Sequence, residues 1–470
     1  MRSLAALLSV ALFSTACGAS PTAKPAPPPV AATPPPAAPP PTPAAPPKPT
    51  FPGAPVTPAG EQLAWVLDVI VNRHGALDAA EIEAHFHRTF LAAVPPAAVA
   101  SVFAQIAAGA PGATISRVEG DGQKLVAHVA LGDTKLRILL SIDPQSAQIV
   151  GLRLQPDVDV GPQPASFDEA RDLLGKIAPK STFLVAELKQ GACAPIQSSA
   201  PKDELAIGST FKLYVLLALA DQMRAGKAAW ADELAIRDDW KSLPSGRTQA
   251  DAAGTKLSLL ELAERMISIS DNTAADHLLQ FVGRKAVEAA LRATQHARPA
   301  LDAPFLTTRE MFVLKLGQDA DARAYLALNE ARKRDYLDKT IAGTSPDLAA
   351  AKAWSTAHRI DTLEWFASSD DLCRAMAALW TRSRDPKTEP IAAVLAKNPG
   401  LPLDAATWPY IGYKGGSEPG VMNMTYLLRR KDDRWFVVTA GVNAAEGGTV
   451  DESKVIGVVT GLVALAAGAK

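Results

Sequence analysis

Residues 21–60, "PTAKPAPPPVAATPPPAAPPPTPAAPPKPTFPGAPVTPAG", hold close to half of the chain's 38 prolines. Each proline fixes its own φ and brings no backbone N–H, so the stretch can neither continue a helix nor pair inside a sheet. Nothing in it can bury a core. Folded bodies are therefore expected after residue 60, with residues 18–60 as an extended, semi-rigid linker. At about 3.1 Å per residue such a tether would reach on the order of 100 Å.

A chain of 470 residues is too long for one core and suggests two domains plus extras. A formal net charge of −1 argues against a nucleic-acid partner. The start, "MRSLAALLSVALFSTAC", has one arginine, an apolar run too short to span a bilayer, then small residues. That is the layout of an export signal over residues 1–17. Cleavage before Cys17 would resemble bacterial lipoprotein processing, although Ser14 stands where that pattern prefers leucine; a plain cut near Ala16 or Ala19 is the alternative. The expected destination is the periplasm or cell envelope, with membrane contact only through a lipid on Cys17.

Residues 61–157 read as a small α+β domain. "EQLAWVLDVIVNR", "AEIEAHFHRTFLAA" and "PAAVASVFAQIAAG" have helical spacing, and "ATISRVEG", "KLVAHVALG", "KLRILLSID" and "AQIVGLRLQ" then predict an antiparallel meander. His85 and His87 would diverge by about 200° on a helix, which argues against a shared metal. After the break "PDVDVGPQPAS", a second domain is expected over 166–470. It would open with helix "FDEARDLLGKIA" and strands "STFLVAEL" and "ACAPIQSSA". "TKLSLLELAERMISISDNTAADHLLQFVG" predicts two helices meeting at "SISDN". Ser258 with Glu261 and Thr307 with Glu310 have capping-box spacing. A charged helical stretch is expected over about 318–358 and another helix over "EWFASSDDLCRAMAALWTRS". "VMNMTYLLRR", "KDDR" and "WFVVTAGVN" predict a hairpin, and "ESKVIGVVTGLVALAAGAK" a buried terminal helix.

Three short motifs recur to chemistry in one order. Ser209 and Lys212 form S-x-x-K at a helix start, where a cation opposes the helix dipole. Ser270, Asp271 and Asn272 form S-D-N at a helix junction, and Lys414, Gly415 and Gly416 lead into a late strand. Each alone has an ordinary reading: Ser209 as an N-cap, Lys212 as a snorkelling side chain, Lys414 as a strand-edge charge. Together they resemble the active-site serine penicillin-recognising enzymes, the class A β-lactamase-like hydrolases. The resemblance covers about residues 167–470. "AIGSTFKLYVL", "PFLTTREMF", "EWFAS" and "YKGGSEPGVMN" further resemble the cephalosporin-esterase-like group of clavulanic acid clusters, which sets a cystatin-like or isomerase-like domain first. The implied fold is a β-lactamase/transpeptidase-like α+β domain, an antiparallel sheet flanked by helices beside a helical subdomain.

The resemblance implies a Ser209 acyl-enzyme on a β-lactam or related ester or amide. A serine hydroxyl needs a base, and an ordinary lysine amine, with pKa about 10.4, is protonated. The helix start, a desolvated cleft and Lys414 are expected to lower Lys212 to about 7 to 8, making its charge about 4 kcal/mol less favourable. Ser270 would pass a proton to the leaving group, Asn272 would hold substrate and brace Lys212, and Lys414 would attract a substrate carboxylate. The backbone N–H groups of Ser209 and Ser417, with Gly416 between Lys414 and Ser417, would face the oxyanion. No metal or organic cofactor is implied. Two departures stand out: the hydroxyl many members carry at position 415 is absent, with Ser417 as a possible substitute, and "ATQHARPALDAPFLTTREMF" lacks the deacylating E-x-x-x-N pattern. Asp302 is the one acid there before the helix. A penicillin-binding D,D-peptidase acting on peptidoglycan, or a non-catalytic binder of a cell-wall ligand, are the alternatives. Cys193 and Cys373 are left to pair or not, since sequence does not give their separation.

Overall fold

Thr57 starts the first helix. The computed structural model describes residues 50–157, except 109, 111 and 133, and residues 161–469. Helix α1 (Pro58–Val71) begins inside the segment expected to be linker: the Thr57 hydroxyl accepts from the Gly60 amide, and Ala59 and Gly60 are buried. Pro58 lacks only an N–H that the first turn would leave unpaired anyway, so proline opens this helix instead of preventing it. The expected export signal, Cys17 and most of the linker lie outside the described residues.

The described residues form two compact units that divide near residue 158. In the first, α1, α2 (Ala79–His85), α3 (Arg88–Ala93) and α4 (Pro96–Ala107) precede β1 (Ala113–Gly120), β2 (Lys124–Leu131), β3 (Thr134–Ile142) and β4 (Ile149–Pro156). The strands pair antiparallel in chain order, the expected meander. Alternate residues of β2 and β3, among them Val129 and Ile138, are buried in one core with Leu63, Ile70 and Phe103. The H-x-H residues serve different elements: His85 closes α2 and stacks on Trp65 at 3.8 Å, whereas His87 caps α3 by accepting from the Thr89 amide.

The second unit runs α5 (Phe167–Ile177), β5 (Lys180–Lys189), β6 (Ala192–Ser199), β7 (Leu205–Ala206), α6 (Lys212–Arg224), β8 (Glu233–Ala235), β9 (Lys256–Ser258), α7 (Leu259–Ser268), α8 (Asn272–Val282), α9 (Arg284–Ala293) and α10 (Thr308–Leu316). It continues with α11 (Asp319–Leu326), α12 (Glu330–Tyr336), α13 (Leu348–Ala353), β10 (Phe366–Ala367), α14 (Ser369–Arg382), α15 (Ile391–Ala396), β11 (Tyr410–Glu418), β12 (Val421–Arg429), β13 (Trp435–Asn443) and α16 (Glu452–Ala467). The main sheet has the antiparallel order β11-β12-β13-β5-β6, which leaves β11 on an edge. Leu174 of α5 and Leu462 of α16 pack with Tyr426 and Phe436 on one face. Leu216 of α6 and Met376 of α14 share a core with Leu184, Leu427 and Val437 on the other. With both faces covered, β12 and β13, the run read as a hairpin, are buried almost throughout.

Local chemistry shifted several expected boundaries. Helix α14 begins only at Ser369, because Ser368 and Asp371 form a capping box there and Phe366–Ala367 pair with β7 instead. The stretch 318–358 breaks into α11, α12, a wider π-helical turn Leu337–Ile341, and α13. Thr307 and Glu310 do form a capping box. At Ser258 only half of one forms, since Ser258 accepts from the Glu261 amide while the Glu261 carboxylate turns to Arg265. Cys193 of β6 and Cys373 of α14 are disulfide-bonded, with Cα atoms 6.3 Å apart and a sequence separation of 180. Closing so long a loop stabilises the folded state by about 5 kcal/mol in the chain-entropy account. No described helix is long and apolar enough to cross a membrane.

Candidate active site

Gly208 takes a left-handed φ of 49°, and the chain then makes one 3-10 turn, Gly208–Phe211, before α6 begins at Lys212. A 3-10 turn has three residues per turn, so residues i and i+3 eclipse. Ser209 Oγ and Lys212 Nζ are consequently 2.9 Å apart. Strand β11 crosses this turn at close range. A Cβ on Gly416 would fall 2.1 Å from the Ile207 carbonyl oxygen and 2.6 Å from the Ser209 nitrogen; one on Gly208 would fall 3.2 Å from the Ser417 nitrogen. Two glycines thus let backbone meet backbone, and they bring the Ser209 and Ser417 amides beside one another. Gly416, expected among the substrate-binding residues, therefore faces the turn and not open space.

Lys212 is fully buried, while Ser209 and Ser270 are half-buried and Ser417 is exposed. The Lys212 amine lies 2.6 Å from the Ser270 carbonyl oxygen, 2.6 Å from Asn272 Oδ1 and 3.2 Å from Ser270 Oγ. Asn272 is oriented by its own amide group, which donates to the Leu243 carbonyl. Ser270 holds a left-handed φ of 56°, unusual for a residue with a side chain. That conformation is fixed on both sides: Ser245 Oγ donates to the Ser270 carbonyl, and the buried Asp271 carboxylate caps α8 at Ala274 and accepts from Arg247 N, Thr248 N and Thr248 Oγ1.

Burial pushes the Lys212 amine down to about 7, against the opposing pull of the Asp271 and Asp276 carboxylates. Lys414, also buried, lies well below the ordinary lysine range, first from burial and then from the like charge of Lys212. Burial is the largest cause lowering each amine, and the two like charges disfavour one another. Lys414 Nζ is 3.0 Å from Ser270 Oγ and also bonds the Gly415 carbonyl, so the Ser270 hydroxyl bridges the two amines. A neutral Lys212 amine has two N–H donors and one lone pair. The two carbonyl oxygens at 2.6 Å take both donors, which leaves the lone pair for Ser209 Oγ.

The expected residues Ser209, Lys212, Ser270, Asn272 and Lys414 are thus joined in one hydrogen-bonded constellation, with Gly416 and Ser417 on its edge. Residues 167–461 match the family model described as the beta-lactamase enzyme family. The chain belongs to the β-lactamase enzyme family. Its second unit has the β-lactamase/transpeptidase-like fold, and residues 54–147 match a second model, described as the N-terminal part of the ORF 12 gene product. Among solved structures, a β-lactamase from Sphaerobacter thermophilus DSM 20745 is similar at 17% identity and TM-score 0.44, over 64% of this chain and 97% of that one. A β-lactamase from Chitinophaga pinensis DSM 2588 gives 15% and 0.43, over 63% and 98%. A structure of PBP-A gives 14% and 0.41, over 65% and 99%. No curated protein sequence matches.

Two features of this β-lactamase family member depart from the motifs. A Cβ at Gly415 would lie 2.0 Å from Tyr413 Oη. Residues i and i+2 share a strand face, so the tyrosine covers the glycine and puts its phenol hydroxyl where a Cβ at 415 would stand. Position 415 lacks a side chain because its neighbour fills the room. In the stretch without E-x-x-x-N, both acids are engaged elsewhere. Asp302 accepts from the Phe366 amide beside His296, and Glu310 pairs with Arg284 in addition to its cap. Among the described residues no carboxylate bonds Ser209 Oγ or Lys212 Nζ. Asp276, missed from sequence, sits one turn after Asn272, accepts from Thr308 N, Thr308 Oγ1 and Arg309 N, and is pushed up to about 7 by burial. Asn423 was also missed: it accepts from Thr210 Oγ1 and ties the Gly208–Phe211 turn to β12.

Proposed function

We propose that the second unit is a serine hydrolase that forms an acyl-enzyme through Ser209 on a β-lactam or a related ester or amide. The observation that carries this reading is the Lys212 amine, buried, lowered to about 7, and with its lone pair left to Ser209. Lys212 takes the Ser209 proton as the hydroxyl attacks the carbonyl. The Ser209 and Ser417 amides receive the developing oxyanion. Ser270, 3.2 Å from Lys212 Nζ, relays the proton to the leaving group, with Lys414 holding its hydroxyl in place. Asn272 holds Lys212 and receives the substrate amide. Lys414 is proposed to receive the substrate carboxylate, whose negative charge would offset the burial that disfavours the ammonium form. The Cys193–Cys373 disulfide supports an oxidising compartment and hence export, and anchorage through Cys17 is proposed from the signal pattern alone.

Deacylation is proposed to be slow, since Asp302 and Glu310 are both committed away from Ser209. The same fact favours a second reading, a penicillin-binding D,D-peptidase. Nitrocefin is expected to give a burst of cleavage followed by slow turnover, with the adduct visible by intact-mass measurement. Fast turnover with neither burst nor adduct contradicts the slow step. A D-Ala-D-Ala peptide in the same assay separates peptidase from β-lactamase, and a ligand that binds without an adduct points to a binder.

The Tyr413 hydroxyl is proposed to serve the substrate carboxylate in place of a hydroxyl at 415. Tyr413→Phe is expected to weaken acylation by benzylpenicillin about tenfold, the scale of one hydrogen bond to a charged group, while p-nitrophenyl acetate hydrolysis stays unchanged. An equal loss on both substrates would rule the role out.

A further inference from the structure

Two phrases singled out in the sequence, "EWFAS" and "YKGGSEPGVMN", are only partly absorbed by this chemistry. Their acids, Glu364 and Glu418, meet in space on one lysine. Lys315 Nζ, near the end of α10, is 2.7 Å from Glu364 Oε1 and also bonds Glu418 Oε1. The three side chains are 0%, 0% and 7% exposed. The Trp354 ring lies over the ammonium, with its centroid at 5.3 Å.

The chain on either side of this cluster leads to the two walls of the oxyanion pocket. Trp365, next to Glu364, accepts the Ile207 amide through its carbonyl at 3.0 Å, two residues before Ser209. Glu418 directly follows Ser417. We infer that Lys315, bridging Glu364 and Glu418, is a positioning residue that sets the spacing between the Ser209 and Ser417 amides. This rests on the acyl-transfer reading above and deepens it.

Two buried carboxylates on one ammonium leave an unbalanced negative charge, which is costly away from water. Burial, then the Glu364 carboxylate, push the Glu418 carboxyl well above the usual carboxylate range, with Lys315 opposing, so it holds a proton to higher pH than an exposed acid would. The charged groups facing Glu418 are Glu364 and Lys315, and Glu364 in turn faces Asp302. Loss of that proton at high pH would set two anions against each other at the end of β11.

Stopped-flow acylation by nitrocefin, from pH 6 to 10, on the full chain tests this. Lys315→Met is expected to lower the maximal acylation rate about 10- to 100-fold, short of the loss of a whole oxyanion donor, with the noncovalent binding constant within about threefold. Glu418→Gln, which keeps a neutral group of the same shape, is expected to retain the wild-type rate at pH 7 and to lose the wild-type decline at high pH. A folded Lys315→Met protein with an unchanged rate overturns the inference, as does a Glu418→Gln protein as slow at pH 7 as Lys315→Met. Should Lys315→Met not fold, the alkaline limb decides: its disappearance in Glu418→Gln supports the brace, and its persistence overturns it. If the wild-type protein is not acylated at all, the functional reading is what fails. Hydrogen exchange over residues 415–418 then tests the brace, with faster exchange in Glu418→Ala supporting it and unchanged exchange refuting it.

Discussion

Ser209→Ala is expected to eliminate covalent capture of fluorescent penicillin, lowering acylation by on the order of 10⁶-fold, the scale for losing a serine nucleophile. The substitution removes one hydroxyl whose partner is the Lys212 amine, 2.9 Å away. It leaves the backbone amide of residue 209, the Gly416 approach and Lys414 as they are. Noncovalent binding should therefore persist within a few-fold, which separates loss of chemistry from loss of the pocket. Gel fluorescence together with intact mass reads both quantities. Labelling of the alanine protein at the wild-type rate would place the nucleophile elsewhere.

Lys212→Met is expected to slow acylation by about 10²- to 10⁴-fold, the range for a positioned general base. In the wild-type protein the rate should rise with pH through about 7, because below that pH the amine is cationic and its lone pair is gone. The methionine protein should show no such rise. The Ser270 carbonyl and Asn272 Oδ1 each lose a buried donor in this variant, an expense of about 1 to 3 kcal/mol per group. Removing a cation that burial disfavours offsets part of it. Thermal denaturation alongside the kinetics shows whether the slowed protein is still folded.

What the sequence disclosed followed the range of each interaction. Ser209 and Lys212 are three residues apart, so their contact was readable from spacing alone. The meander of the first unit and the β12–β13 hairpin were readable from period and turn chemistry. Ser270, Asn272 and Lys414 lie 58 to 144 residues from their partners in hydrogen bonds, and only a family resemblance, not local pattern, brought them together. The Lys315–Glu364–Glu418 cluster spans separations of 49 and 103 residues, so no local pattern joins its members, although two of them lie in the phrases "EWFAS" and "YKGGSEPGVMN". Asp276 carried a weak signal, since a residue four after Asn272 shares its helix face. Tyr413 was legible in principle: a large side chain two residues before Gly415 on a strand must cover it. The left-handed φ of Ser270 and the pairing of Cys193 with Cys373 depend on where the chain returns after long excursions, which no local pattern encodes.

The amine at Lys212 decides the rest. Its protonation can be followed directly by NMR of ¹³Cε-labelled lysine in the folded protein, with the resonance assigned by its absence in Lys212→Met. A midpoint near pH 7 is the predicted result. An amine that stays cationic well above pH 9 would leave Ser209 without a base and would contradict the account.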